Sequence, residues 1–455
     1  MEADLAEARR EMADLRLELQ ELKDRLNNNS SNSSIPPSAN PPGAPPPVKK
    51  KPTGRRPGGQ LGHAGHGRKL LAEGEVDEVV KHRPVKCEHC GRAFGEGIQG
   101  TVTARHQVSE LPPVAVVVTE HQSIECVCPG CRMTTAGEIP RDILCSAFGP
   151  RLSAVIAWSS AHLHTSRRKV VELLEAALGV PIALGTVSAR EKEMADALER
   201  PHRSIGREVR AGAVKHMDET SWKGVGSWLW TAATRAAAYF HLDRSRAHGV
   251  VKTLLGREIE GVVCSDDYGA YARIPLKQRG LCWAHLKRHF TKWEERGDKT
   301  KWFGVEASAI TRGVFKCWKR FKNGKPGQWS RKDLRQWIKP LRVRMKKLLE
   351  RGIAGREKKL ARFCGRLLRM ERAIWRFTKV QGLEPTNNHA ERMLRPAVIW
   401  RKICLGSASD RGCRFVERML SVVATLRMRG RKVLDYLEEA LRRHRRGQLP
   451  PALAG

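Results

Sequence analysis

No apolar run in this sequence approaches the roughly 18 residues that a bilayer-spanning helix needs, so no helical membrane span is expected. The opening residues are acidic and patterned for a helix rather than basic and then apolar, and no secretory signal is expected. Acid is scarce overall: 48 Asp and Glu stand against 84 Lys and Arg, a formal net charge of +36. A surplus of that size repels itself unless a polyanion neutralises it, and nucleic acid is the commonest such partner. Disulfides are not expected either, because the twelve cysteines occur without an export signal, where thiols stay reduced or hold metal. The expected address is therefore the cytoplasm, in contact with the nucleoid and not with a membrane.

The positive charge is concentrated. From Arg312 to Lys379 there are 24 Lys and Arg against four acids, a surplus of 20, interleaved with Trp318, Trp329, Trp337 and Trp375. Basic side chains neutralise phosphates, while indole rings either offer faces to unpaired bases or form the core of a helical insert. A merely solvated face would mix signs, so the charge points to DNA. Upstream, Leu5, Met12, Leu19 and Leu26 are spaced by seven, with Leu15 and Leu22 at the alternate seam position. Residues 1–26 read as a short coiled-coil helix, serving either self-association or packing on its own chain. Residues 27–75 follow as a disordered basic linker, because Asn, Ser, Pro and Gly cannot offset the entropy of folding by burial. Within it Lys49 to Lys51, Arg55 and Arg56 can lie along phosphates.

Cys87 and Cys90, and Cys128 and Cys131, form two pairs with two residues inside each. Such thiolate pairs suit a closed, structural Zn2+, with His89 and Cys126 as spare ligands; the alternative is four unrelated thiols. Residues 76–145 are predicted to be a small β-rich zinc-binding module, with Val114 to Val118 as a strand. Residues 146–205 turn helical, and the break from Gly179 to Ala183 suggests a helix-turn-helix-like DNA-binding region. Thr186 suits the second helix's N-cap, and Ser188, Arg190 and Lys192 would reach phosphates or bases unless the hairpin only packs.

From about residue 206 the pattern is that of strands. Ala213 to Asp218, Trp228 to Leu242 and Gly261 to Asp266 alternate or run apolar, and two of these stretches end in an acid. Beyond Leu281 the pattern is mostly helical, including Phe415 to Leu426 and Lys432 to Arg443. Strands followed by helices, with acids at strand ends, predict an α/β or α+β catalytic core. A carboxylate leaving a buried strand needs a partner, and Mg2+ is an obvious one. Two carboxylates brought together repel unless a cation bridges them, and two cations about 4 Å apart support phosphoryl transfer. Asp218 and Asp266 are the candidates, and Glu391 completes the set from a helix. Singly, each acid is more often a cap or an ion pair; only the combination points to metal.

These segments resemble the insertion-sequence-66 family of bacterial transposases over nearly the whole chain. NSSNSSIPPS and GGQLGHAGHGR are similar to the family's linker and the basic segment after it, and the Cys87 to Cys131 region to its zinc-binding domain. MDETSW and SDDYGAY match the segments of the two catalytic aspartates, here Asp218 and Asp266. CWAHLKRHF resembles the family's CWAH(x)RR(x)F segment, and NNHAERMLRPAVIWRK the one with the catalytic glutamate, here Glu391. The resemblance implies a ribonuclease-H-like α/β core with a helical insertion, and a DDE triad holding Mg2+ or Mn2+. On that reading 206–295 is the first part of the core, 296–380 the basic helical insertion, 381–430 the second part with the glutamate, and 431–455 a C-terminal helix and tail. Asp267 stays open as the alternative to Asp266. His285, Arg288, Arg392 and Arg395 would contact DNA, although His285 and His389 fit a packing role equally well.

The expected function is therefore binding of terminal inverted repeats and metal-dependent strand cleavage and transfer during transposition. Double-stranded DNA, at transposon ends and target, would be the partner of a homo-oligomer, with accessory proteins of the same element. The alternatives are a catalytically inactive, transposase-derived DNA-binding protein and a nuclease on the same core that does not join strands.

Overall fold

The computed structural model describes residues 69–453, apart from residues 96, 113, 115, 226–227, 297–298, 326–327 and 405. The coiled coil expected over 1–26, most of the linker, and Arg55 and Arg56 lie outside the described residues. The chain divides into two compact units, one spanning 45–115 and one holding the remainder.

In the 45–115 unit nearly every described side chain is exposed. Local bonds give it order: Lys86 pairs with Ala93 across the Cys87–Cys90 turn, and Arg83 Nη1 donates to the Ile98 carbonyl at 2.8 Å. The larger unit has a two-stranded piece of its own, β1 (Glu125–Val127) and β2 (Thr134–Ala136), antiparallel around the Cys128–Cys131 turn. None of the described residues of the Val114 to Val118 stretch is in a strand, contrary to expectation. Val117 and Val118 are 89% and 88% exposed, and β-branched side chains favour strands only where a half-buried face receives them.

Helices follow: α1 (Arg141–Leu144), α2 (Pro150–Ala161), α3 (Arg167–Leu178), α4 (Leu184–Ala197) and α5 (Glu199–Ala211). The Ser166 hydroxyl caps α3 by accepting from the Lys169 amide, and Gly179 ends it at φ 64°, a left-handed conformation that glycine adopts readily. The helical break expected there is real, and Ile156, Val170, Leu174 and Val187 form its small core. The N-cap of α4 is Ala183, so Thr186 lies inside the first turn instead of capping it.

The main sheet runs in the order β5-β4-β3-β6-β7. Its strands are β3 (Val214–Ser221), β4 (Trp228–Ala233), β5 (Ala238–Asp243), β6 (Val262–Ser265) and β7 (Arg279–Leu281). The first three form an antiparallel meander; β6 lies parallel to β3, and β7 parallel to β6. Every residue of β6 is buried, as expected of a strand covered on both faces. Val263 packs into a core with Met217, Leu229 and Phe240, while Val262 and Cys264 face a second core with Leu281 and Trp283. The period of two thus assigns alternate residues of one strand to different cores.

Helix α6 (His248–Leu255) connects β5 to β6. After β7 come α7 (Trp283–Glu295), α8 (Lys301–Asn323), α9 (Arg331–Ala354), α10 (Lys358–Arg369) and α11 (Glu371–Ile374). Their buried stripe includes Leu334, Ile338, Met345, Leu348 and Leu349, near-helical spacing on α9. The tryptophans of this stretch pack. Trp375 is buried against Trp283 at 4.9 Å, Trp329 meets Trp337 at 5.1 Å, and Arg320 lies 4.2 Å over Trp337.

The chain returns as α12 (Asn388–Cys404), α13 (Asp410–Met428) and α14 (Val433–Arg445). Two glycines clasp the loop after β3 to the loop after α12. Gly224 (φ 87°) and Gly406 (φ 101°) are left-handed, and a Cβ at either would land on the opposite strand's carbonyl. The Val225 amide donates to Ser407 O at 2.9 Å, and Ser407's to Lys223 O at 3.0 Å. Among the described residues no helix is long and apolar enough to cross a membrane.

Candidate active site

Three elements deliver the three expected acids. Asp218 lies on β3, the middle strand of the sheet; Asp266 directly follows β6, its parallel neighbour; Glu391 stands in the first turn of α12. Asp218 Oδ1 accepts the Glu219 amide at 3.0 Å, and Asp266 Oδ1 accepts the Tyr268 amide at 2.9 Å. Glu391 Oε1 lies 4.0 Å from His285 Nδ1 on α7. Burial pushes Asp218's pKa well above the usual carboxylate range, and the neighbouring charges of Glu219, Asp266 and Glu391 push it further. Asp266 is also raised, chiefly by burial, against the amide bond that favours its charged form. Sites separated by 48 and 125 positions in the sequence thus share one electrostatic neighbourhood.

Asp267, the alternative ligand, is engaged elsewhere. His289 Nε2 lies 2.9 Å from its Oδ1, and Arg366 Nη1 of α10 lies 3.0 Å from its Oδ2. Burial alone would raise its pKa, but the His289 bond and the charges of His289 and Arg366 bring it below the ordinary value.

Asn387, fully buried, ties the glutamate's helix to the aspartate's strand. Its Nδ2 donates to Met217 O at 2.6 Å, and its Oδ1 receives His216 Nδ1 at 3.2 Å. That amide orientation makes Nδ1 of His216 the protonated nitrogen. His389 packs edge-on to His216 at 5.4 Å, and its Nε2 donates to the Thr234 carbonyl at 2.6 Å. His285 is half-buried, its pKa lowered by burial and by Arg288 against Glu391, and its Nδ1 has no hydrogen-bond partner among the described residues.

The remaining expected DNA contacts divide. Arg392 and Arg395 are exposed on α12 beside Glu391. Arg190 is largely enclosed and paired with Glu193 at 2.7 Å, and the Ser188 hydroxyl accepts from Arg411 Nη2 at 2.8 Å. Sequence reading missed Glu219, Arg246, Tyr271, Asn387, His289 and Arg366. Asn387, Glu219, Tyr271 and His289 stood inside the quoted segments, but their partners were too distant in sequence to suggest themselves.

The cysteine pairs form two turns of one kind. The Cys87 amide donates to Arg92 O and the Gly91 amide to Cys87 O; likewise Cys128 to Met133 O and Arg132 to Cys128 O. Gly91 and Arg132, at matching positions, are both left-handed. The backbone amides of Cys90 and His89 lower the Cys87 pKa, and those of Cys131 and Gly130 lower Cys128, favouring the thiolates a metal would need. Among the described residues, however, no three or more His, Cys, Asp or Glu side chains are gathered as a formed metal-holding group. The expected Zn2+ therefore lacks support.

Residues 145–414 match the transposase IS66 family, well over half of the chain, and the chain belongs to that family. Residues 2–69 match a family of unknown function (DUF6444). Over 273 residues the chain is 27% identical to "Uncharacterized protein y4qI" of Sinorhizobium fredii (strain NBRC 101917 / NGR234), covering 52% of this chain and 49% of that protein. The chain thus spans about half the length of this curated relative.

Proposed function

We propose that the chain is a DDE-type DNA transposase with a ribonuclease-H-like core, in which Asp218, Asp266 and Glu391 hold two divalent cations, Mg2+ or Mn2+. What supports this reading is that Asp218 within β3, Asp266 just after β6 and Glu391 at the start of α12 act on one another electrostatically, although among the described residues they are not gathered as a formed metal-holding group. The donor set suits such cations: Asp218 is buried with its proton affinity raised further by Asp266 and Glu391, a strain that a hard cation with oxygen ligands would relieve. When bound, such a pair would activate a water or 3′-hydroxyl and stabilise the leaving oxygen of a phosphodiester.

The chain's own residues orient and hold the substrate. Exposed Arg392 and Arg395 would steady phosphates beside Glu391, with Arg288 near His285, and the basic insert would bind the transposon end. The five-stranded order, three antiparallel strands and two parallel ones, supports the ribonuclease-H-like assignment. The test is strand transfer on a labelled transposon end with Asp218→Ala. Cleavage and joining are expected to fall by several orders of magnitude while end binding stays intact. Joining retained in Mg2+ by that variant overturns the mechanism.

A further inference from the structure

Glu219 sits beside Asp218, yet its carboxylate is fully engaged. Only 2% of its side chain is exposed. Its Oε1 accepts from Nε and Nη2 of Arg246 at 3.0 and 2.7 Å, and its Oε2 accepts from the Tyr271 hydroxyl. The Arg246 guanidinium lies 3.9 Å over the Tyr268 ring and 4.5 Å over Trp228. Tyr268 in turn donates its amide to Asp266 Oδ1 at 2.9 Å. Both ends of the turn from Asp266 to Tyr271 are therefore fastened to the residue next to Asp218.

We propose that Glu219 is a positioning residue, and not a fourth cation ligand. Through Arg246 and Tyr271 it sets the turn carrying Asp266 against the strand carrying Asp218. The arrangement answers a physical problem: two buried carboxylates repel, and left alone the Asp266 turn would swing away. A stacked guanidinium that gives two N–H bonds to one oxygen neutralises Glu219 and stiffens the turn, leaving Asp218 and Asp266 with one backbone amide each and lone pairs to spare. Groups that orient metal ligands in this way typically control metal affinity by about 10–100-fold. The proposal rests on Asp218, Asp266 and Glu391 being the cation-holding set.

The test titrates Mn2+ into the full chain by paramagnetic resonance, alongside melting temperature and transposon-end cleavage. Arg246→Lys and Tyr271→Phe are expected to weaken Mn2+ binding by about 10–100-fold, with cleavage recovering at higher Mn2+. Glu219→Gln should behave alike, since the amide keeps the shape but loses the charge. Should Glu219→Gln lose Mn2+ binding at every concentration, as Asp218→Ala should, Glu219 is a ligand and the proposal is overturned. Binding unchanged in both Arg246→Lys and Tyr271→Phe overturns it too. Equal Mn2+ binding by the parent and Asp218→Ala is a distinct result: it removes the cation site itself, and the proposal with it.

Discussion

His216 lies two residues before Asp218, and burial, with His389 and Arg235 nearby, brings its pKa to about 4. The group enters the fold neutral, so its folded value lies below the unfolded one near 6.5. Its contribution is then present in full above pH 6.5 and is lost as pH falls toward 4. Between pH 7 and pH 5 the loss from this one side chain is about 2 kcal/mol. His216→Gln keeps a donor for Asn387 but cannot charge, so denaturant unfolding should show a stability difference between those pH values smaller by about that amount. An unchanged difference would remove His216 from the acid response. Asp218 has the opposite sign. Its folded pKa is raised, so its cost to the fold grows as pH climbs above the ordinary carboxylate value. Asp218→Asn should therefore raise the melting temperature of the metal-free protein at pH 7 and abolish the further rise on adding Mg2+. A parent that gains nothing from Mg2+ would contradict this. At this scale the acids stood out because Asp218 and Asp266 follow apolar runs and Glu391 lies in a quoted segment. Their partners were not: Arg246 and Tyr271 lie 27 and 52 positions from Glu219, and only the folded sheet brings them together.

At the scale of elements, β5 is an edge strand whose free amides could template unwanted pairing. Helix α13 covers them with a polar stripe at intervals of four. Thr425 Oγ1 accepts from the Ala238 amide, Ser421 Oγ from Phe240's at 2.9 Å, and Glu417 Oε1 from Leu242's. The Ser421 hydroxyl also donates to Glu417 O at 2.7 Å, as a helical serine often does. Ser421→Ala would strand the Phe240 amide in a buried place, where an unmet donor costs about 1–3 kcal/mol. Equilibrium unfolding should show that loss, and Ser421→Thr should restore most of it; a loss under about 0.5 kcal/mol would mean that water takes the hydroxyl's place. The sequence announced α13 as a helix over Phe415 to Leu426, but gave Glu417, Ser421 and Thr425 no role. The strands of the sheet were readable because both faces are covered and the runs are apolar. The stretch before Glu125 misled for the reverse reason: its valines have β propensity but no face to bury.

At the scale of the whole molecule, the net charge of +36 is the feature that most constrains how the protein meets DNA. The tryptophans among those charges turned out to be packed, so affinity for the backbone has to come from the cations themselves. An open groove along α9 is lined by Gln336, Lys339, Pro340, Val343, Arg344 and Lys347. Arg344 pairs with Glu306 at 3.1 Å, which leaves the exposed Lys339 and Lys347 as the groove's positive ends without an acidic partner among the described residues. Each lysine that neutralises a phosphate releases condensed counterions, so the logarithm of affinity falls with the logarithm of salt by about 0.9 per contact. Replacing both by Ala should therefore flatten the salt slope by up to about 2, and weaken transposon-end and unrelated duplex alike. The double variant should keep its melting temperature, because neither side chain is buried. Asp218→Ala, by contrast, should leave the slope where it was. If the slope is unmoved by loss of both lysines, the groove does not touch DNA, and the phosphates are held by another part of the basic surface.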